Sequence, residues 1–297
     1  MRQRWAAIQS PWVVTGKTKI FLETIKFEHT IFALPFAYLT LFLVEKGWPS
    51  WDLFGWITLA MVAGRTFAMA ANRLIDAEID ARNPRTAQRA LPAGLISAKE
   101  VVFFMAVALA LFLVAVYQLS PLSQYLWPAV ILALVAYPYA KRFTYLSHLA
   151  LGLVYLMVPT GIWIALENEL ALASVVLGLG AGFWVVGFDI IYACQDVEVD
   201  RKQRLHSIPA DLGIRVGLWM SRLSHLFFIG ALAAAGIILG VGLLYYIGLG
   251  LTALLLGYEH RLVSPKDLSK VNVAFFTANG IISVVLFLLV AADTLVR

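Results

Sequence analysis

Long apolar runs separated by short polar breaks dominate the chain, and the runs are scaled to a bilayer. Stretches long enough to cross a hydrocarbon core, about 17 to 25 residues each, lie at 20–44, 52–78, 100–119, 122–140, 146–166, 171–195, 213–238, 241–258 and 272–293. The pattern predicts an all-α polytopic membrane protein with nine transmembrane helices. Breaks such as EKGWPSW (45–51), LSPLSQY (119–125) and HRLVSPKDLSK (260–270) read as loops, and Pro35, Pro138 and Pro159 are placed to kink or end helices. The least obvious division is 236–242, where glycines must allow a tight turn between two spans.

Composition agrees. Of 297 residues, 61% are apolar and only 14% charged, and the mean hydropathy is +0.81, values outside the range of soluble domains. One membrane domain covering 1–297 is expected, with 1–19 as a cytoplasmic amino-terminal segment and the first span as the insertion signal. The single cysteine, Cys194, excludes an internal disulfide framework and a cysteine-based metal site. The net charge of +5 needs no nucleic-acid partner. With the amino terminus inside, loops 79–99, 139–147, 196–212 and 259–271 carry most of the Lys and Arg, whereas the opposite loops hold only Lys46. This is the positive-inside asymmetry, and it places the basic loops in the cytoplasm.

Two of those loops carry acids in the same register. IDAEIDAR (75–82) and QDVEVDRK (195–202) align Asp with Asp, Glu with Glu and Asp with Asp, each at the cytoplasmic end of an even-numbered span. On a helix, positions four apart share a face, so Asp76 pairs with Asp80 and Asp196 with Asp200, while Glu78 and Glu198 point away. Extending each stripe into the membrane adds Asn72 and Arg65, the latter about 17 Å below Asp76, and Tyr192 and Asp189, the latter about 10 Å below Asp196. Ionisable groups at such depth face a cavity or a partner. Either Arg65 and Asp189 neutralise each other or they line a polar cavity roofed by four aspartates.

Two facing Asp-x-x-x-Asp pairs make a hard-oxygen site suited to Mg²⁺, which keeps waters and shares substrate phosphate oxygens. The surrounding Arg73, Arg82, Arg85, Arg89, Lys141, Arg142, Arg201, Lys202 and Arg204 oppose a bare cation but complement a metal–diphosphate. Diphosphate held in this way is a good leaving group. A lipid-embedded enzyme suggests an apolar tail on that substrate, as in an allylic prenyl diphosphate.

NRLIDAEID (72–80) resembles the first aspartate signature of the UbiA-type intramembrane aromatic prenyltransferases, and DIIYACQDVEVD (189–200) resembles their second. RTAQRALPAGLIS (85–97) and YPYAKRFT (137–144) match further family segments in order and separation, so the resemblance spans essentially the whole chain. It implies nine helices around a central cavity, in a bacterial-type cytoplasmic membrane, and Mg²⁺-dependent prenyl transfer to an aromatic ring in ubiquinone or menaquinone biosynthesis. Carried over by position, Asp76, Asp80, Asp196 and Asp200 hold the metal–diphosphate, supported by Asn72, and Arg85, Arg89 and Lys141 grip diphosphate oxygens. Deeper in the cavity, Lys26 and Arg65 suit the acceptor's carboxylate and Asp189 its hydroxyl. LHSIPA (205–210), with His206 where 4-hydroxybenzoate enzymes usually have lysine, looks more like the branch that prenylates dihydroxynaphthoate, as does IKFEHTIFALPFAYL (25–39). Both acceptors, 4-hydroxybenzoate and 1,4-dihydroxy-6-naphthoate, stay open.

Other readings compete. A secondary transporter could use intramembrane Asp and Arg for coupling, although such sites lie near the midplane and these aspartates lie at helix ends. A relative acting on haem or a chlorophyll precursor would share the basic pocket. His29 and His148 read as helix-end or loop histidines, His225 and Cys194 as packing residues, and LGLGAG (177–182) as a close helix contact.

Overall fold

The structure is a computed structural model that describes residues 16–25 and 30–297, with the side chains of 30–33 left aside. The described residues are overwhelmingly helical. In chain order the helices are α1 (Gly16–Thr24), α2 (Thr30–Glu45), α3 (Trp51–Ile75), α4 (Ala77–Ala81), α5 (Ala98–Val116), α6 (Pro121–Ala136), α7 (Ser147–Glu167), α8 (Leu172–Ala193), α9 (Val197–Gln203), α10 (Ile208–Leu212), α11 (Ile214–Leu239), α12 (Leu243–Arg261) and α13 (Asn279–Val296). A 3₁₀ turn, Tyr137–Arg142, follows α6, and a π-helical turn, Val273–Ala278, leads into α13.

Among the described residues, six helical stretches are long and apolar enough to cross a membrane: α3, α5, α7, α8, α11 and Val273–Val296. Helix occupies each of the other expected runs too. The first, 20–44, is divided between α1 and α2. α1 keeps Lys17 and Lys19 exposed and buries Phe21, with Ile25 just past its end, against Ala70, Ile96 and Val101, which docks it on the bundle.

Local chemistry sets the boundaries. Ser50, Ser97, Ser120 and Ser207 cap α3, α5, α6 and α10, each accepting a backbone N–H, and at Ser97 the Glu100 side chain completes a capping box. Pro138 lies in the turn that ends α6, whereas Pro35 and Pro159 are accommodated inside helices. The expected turn in 236–242 is made by Gly240 at φ +60°, and Asp293 of α13 accepts the Gly242 N–H at 2.8 Å.

α8 is the central helix, packed between α7 and α11. Its glycines allow this: a Cβ on Gly182 would stand 2.7 Å from the Gly152 carbonyl oxygen of α7. The reading of 177–182 as a close helix contact is correct. The main core joins Leu177, Trp184 and Val185 of α8 to Phe36, Phe228, Tyr245 and Leu286. Many large apolar side chains face outward, including Phe103, Leu132, Leu153, Trp219 and Leu254, as lipid contact requires.

A cavity of about 1310 Å³ lies inside the bundle, between α3, α5, α6 and α7 on one side and α8 with the π-helical turn on the other. It extends from Arg85 and Asp196 at one end to Leu119 and Ser123, beyond the far end of α5. Along α3 its lining runs from Ile57 to Arg73, about 24 Å at 1.5 Å per residue.

Candidate active site

Each aspartate motif interrupts its helix at or just before its first aspartate, at Asp76 in the first and over Cys194–Asp196 in the second. α3 ends at Asp76 (φ −95°, ψ 4°), which also precedes α4, and Asp196 (φ −104°, ψ 4°) precedes α9. The four-residue link survives both breaks, since the Asp80 N–H donates to Asp76 O at 2.7 Å and the Asp200 N–H to Asp196 O at 2.8 Å. Asp76 and Asp80 therefore remain one turn apart, as do Asp196 and Asp200. Glu78 and Glu198 are exposed.

The four carboxylates do not form one bare cluster. Lys141 Nζ lies 2.5 Å from Asp76 Oδ2, Asn72 Nδ2 donates to the same oxygen at 3.2 Å, and Arg142 is 3.7 Å from Oδ1. Arg89 donates to both oxygens of Asp80, at 2.7 and 2.6 Å. Arg85 straddles Asp196, with Nε 3.0 Å from Oδ1 and a terminal nitrogen 2.5 Å from Oδ2, and Asn83 adds a bond to Oδ1 at 3.1 Å. Ser207 Oγ donates to Asp200 Oδ2 at 3.2 Å. Asp196 and Asp200 line the cavity; Asp76 and Asp80 are buried behind Lys141, Asn72 and Arg89, which do line it. The expected roof of four aspartates is thus a roof of acids interleaved with the basic residues of the two neighbouring loops. Among the described residues, no group of three or more His, Cys, Asp or Glu is arranged to hold a metal. The physical reason is charge: buried carboxylates take the nearest cations, here Lys141, Arg89 and Arg85.

Two features mark incomplete compensation. Asp76 Oδ1 is buried and has no hydrogen-bond partner among the described residues. The Asp200 carboxyl is pushed up to about 6, by burial first and by the neighbouring Asp196 charge second.

Further into the cavity stand Arg65, Asp189 and Tyr192. Tyr192 OH accepts a bond from Arg85 at 2.7 Å, and its ring packs on Phe275 with centroids 4.3 Å apart. Asp189 is held by His148 Nδ1 at 2.6 Å. Lys26 and His29 lie outside the described residues. Asn83 and Ser207, which the sequence reading passed over, and His148, which it read as a helix-end or loop histidine, belong to the site. Asn83 could have been found from its place between the first motif and Arg85. His148 does sit at a helix start, as expected, but its side chain is buried on Asp189.

The UbiA prenyltransferase family model matches residues 33–281. The chain belongs to the UbiA prenyltransferase family. It is 30% identical over 270 residues to the 4-hydroxybenzoate octaprenyltransferase of Vibrio cholerae, covering 89% of this chain and 93% of that one. The enzyme of the same name from Cupriavidus metallidurans is 29% identical, with 88% and 89% covered. Among solved structures, the apo UbiA homolog from Aeropyrum pernix superposes with a TM-score of 0.77 at 29% identity, covering 90% and 96% of the two chains. A UbiA homolog from Archaeoglobus fulgidus bound to GPP and Mg²⁺ shares the fold, with a TM-score of 0.73 at 17% identity and 93% and 99% covered. As a UbiA member this protein is an integral membrane prenyltransferase, and the transporter reading is set aside.

Proposed function

We propose that the protein transfers a polyprenyl group from its diphosphate to the ring of an aromatic acid, 4-hydroxybenzoate or 1,4-dihydroxy-6-naphthoate, in respiratory quinone synthesis. The observation that carries this reading is the cavity itself. One end is roofed by two aspartate pairs of matching backbone geometry and by Arg85, Arg89 and Lys141, and beyond Arg65 and Asp189 the wall is largely apolar, with Phe112, Val116, Val130 and Val158 in it. A diphosphate headgroup fits the first part and a long isoprenoid tail the second.

The residues present suit Mg²⁺. The donors are carboxylate oxygens, one of them orphaned and buried at Asp76, and at Asp200 the nearby Lys141 charge and the Ser207 hydroxyl offset burial and the Asp196 charge only in part. Asp76, Asp80, Asp196 and Asp200 would hold the ion, whose bound chemistry is to neutralise diphosphate oxygens. Lys141, Arg89 and Arg85, released from the carboxylates, grip the diphosphate. As the allylic carbon–oxygen bond breaks, diphosphate leaves with the electron pair, and these cations stabilise the charge where it develops. A ring carbon of the acceptor then forms the new carbon–carbon bond and loses its proton to water, the departed diphosphate or a nearby carboxylate. Arg65 and Lys26 orient the acceptor's carboxylate and Asp189 its hydroxyl, which raises the electron density of the ring.

The chain is read as one domain over 1–297 that crosses a bacterial-type cytoplasmic membrane nine times, with both aspartate motifs cytoplasmic. The basic loops 79–99 and 196–212 at the roof of the cavity support that orientation. Purified protein supplied with Mg²⁺, a prenyl diphosphate and the two acids in competition should give one dominant C-prenylated product by mass spectrometry. No product from either acid, or undiminished turnover in Asp76→Asn and Asp196→Asn, rejects the reading.

A further inference from the structure

We propose that His148 is the positioning residue for Asp189 and sets that carboxylate for the acceptor's hydroxyl. The proposal rests on the function just described and adds a residue to it.

The argument starts from the two ring nitrogens. His148 Nε2 accepts the backbone N–H of Ile208 at 3.3 Å, and accepting requires a lone pair. The imidazole is therefore neutral, with its proton on Nδ1, where it donates to Asp189 Oδ2 at 2.6 Å. A backbone donor on one side thus fixes which proton the ring presents on the other. The same logic orders metal-bound histidines through their second nitrogen. The ring has little freedom to do otherwise, since its side chain is only 4% accessible, against 27% for Asp189, which opens into the cavity.

The backbone donor also has meaning. Ile208 is the first residue of α10, and Ser207, which caps that helix, donates its hydroxyl to Asp200. One turn of chain therefore braces both carboxylates of the second motif's helices: Asp200 through Ser207, at the diphosphate end, and Asp189 through His148, in the acceptor region. The turn is itself anchored, because the His206 N–H donates to Lys141 O at 2.7 Å and Ser147 Oγ to His206 O at 3.3 Å. The Nδ1 bond fixes Asp189 Oδ2 in the cavity wall and so sets the direction of the carboxylate.

Substitution separates positioning from packing. Asparagine at 148 places an amide nitrogen the same number of bonds from Cα as Nδ1 but gives up the reach to Ile208. With the full chain in detergent or nanodiscs, His148→Ala should raise the KM for the aromatic acid and lower kcat, together costing about 10- to 100-fold in kcat/KM, as for other lost orienting bonds. The KM for the prenyl diphosphate should stay within about twofold of wild type. His148→Asn should recover most of the loss. Equal losses on both substrates with no rescue by asparagine, or wild-type kinetics in His148→Ala, overturn the proposal. A second measurement is independent of turnover. In ¹⁵N spectra of histidine-labelled protein, the resonance missing from His148→Asn should be that of a neutral, Nδ1-protonated ring, and an Nε2-protonated ring refutes the geometry. Inactivity of the wild type toward both acids refutes the enzymatic reading, whereas an active wild type with an indifferent His148 refutes only this one.

Discussion

Lys141 Nζ sits 2.5 Å from Asp76 Oδ2, joining the turn after α6 to the first aspartate of the first motif across 65 residues of sequence. The Asp76 side chain is only 5% accessible and that of Lys141 30%, so Asp76 depends on Lys141 while Lys141, which lines the cavity, can swing toward it.

Lys141→Ala removes a partner from a buried charge and a donor from the diphosphate. Leaving a buried carboxylate unpaired costs about 3–5 kcal/mol, although Asn72 and Arg142 absorb part of that here. Steady-state kinetics should show kcat/KM lower by about 10²-fold or more, and thermal unfolding should show reduced stability that added Mg²⁺ partly restores.

The acids of each motif differ in rank by position alone. Glu78 has 90% of its side chain exposed, against 8% for Asp80. Asp80→Asn and Asp200→Asn should abolish most turnover, whereas Glu78→Gln and Glu198→Gln should leave kcat/KM within about twofold, as surface changes usually do. A product assay on the four variants tests this.

That ranking was legible in the sequence, because a period of 3.6 residues separates the faces of a helix whatever it packs against. The spans were legible for a similar reason: lipid forces every backbone group to bond within its own helix, so length and hydropathy carry the signal. Even the turn at Gly240 left its mark as glycines between two apolar runs. What the sequence hid depends on distances between segments. The break at or just before each first aspartate lies inside a continuous apolar-to-polar pattern, and nothing local announces it. Residues 20–44 read as one span because Ile20, Phe21 and Leu22 extend the apolar run back into α1, where they pack on the bundle. Arg85, Arg89 and Lys141 were legible as basic residues near the aspartates but not as partners of particular carboxylates, since the pairings of Lys141 with Asp76 and of Arg85 with Asp196, across 65 and 111 residues, are decided by tertiary packing. The role of His148 was hidden most completely, because an imidazole at a helix start looks the same whether it meets water or a buried aspartate.

Asp200 links the site to stability. Its folded-state value of about 6 lies above the ordinary 3.8, through burial and then the charge of Asp196. A carboxyl raised in this way contributes stability that is fully present below the unfolded value and is lost as pH rises through the folded one. Without Mg²⁺, the unfolding temperature should therefore fall between about pH 4 and pH 6.5. Asp200→Asn should flatten that slope, and Mg²⁺ should flatten it in the wild type. A slope unchanged in Asp200→Asn would assign it to another group.

The contact of α7 with α8 is set by glycine. A Cβ on Gly182 meets backbone at 2.7 Å, whereas one on Gly230 of α11 meets nothing within 4 Å. Gly182→Val should separate the two helices, lower the unfolding temperature and reduce activity, because α8 carries Asp189. Overpacking of this kind costs about 1–3 kcal/mol or more. Gly230→Ala should be neutral or slightly stabilising, since alanine is the better helix former by roughly 1 kcal/mol.

Arg85 tests whether the fork of a guanidinium or only its charge is needed. It makes three side-chain bonds at once, two to Asp196 and one to Tyr192 OH, with its guanidinium carbon 5.1 Å from the Tyr192 ring centre. Lysine carries the same charge but offers one nitrogen, which can follow the carboxylate or the phenol but cannot clamp both. Arg85→Lys should therefore behave much like Arg85→Ala, losing about tenfold or more in kcat/KM, with most of the loss in the KM for the prenyl diphosphate. Tyr192→Phe removes only one of the three bonds and keeps the ring on Phe275, so its loss should be several-fold smaller. If lysine restores full activity, the contact is one of charge alone, and the planar fork over Asp196 has no part in holding the diphosphate.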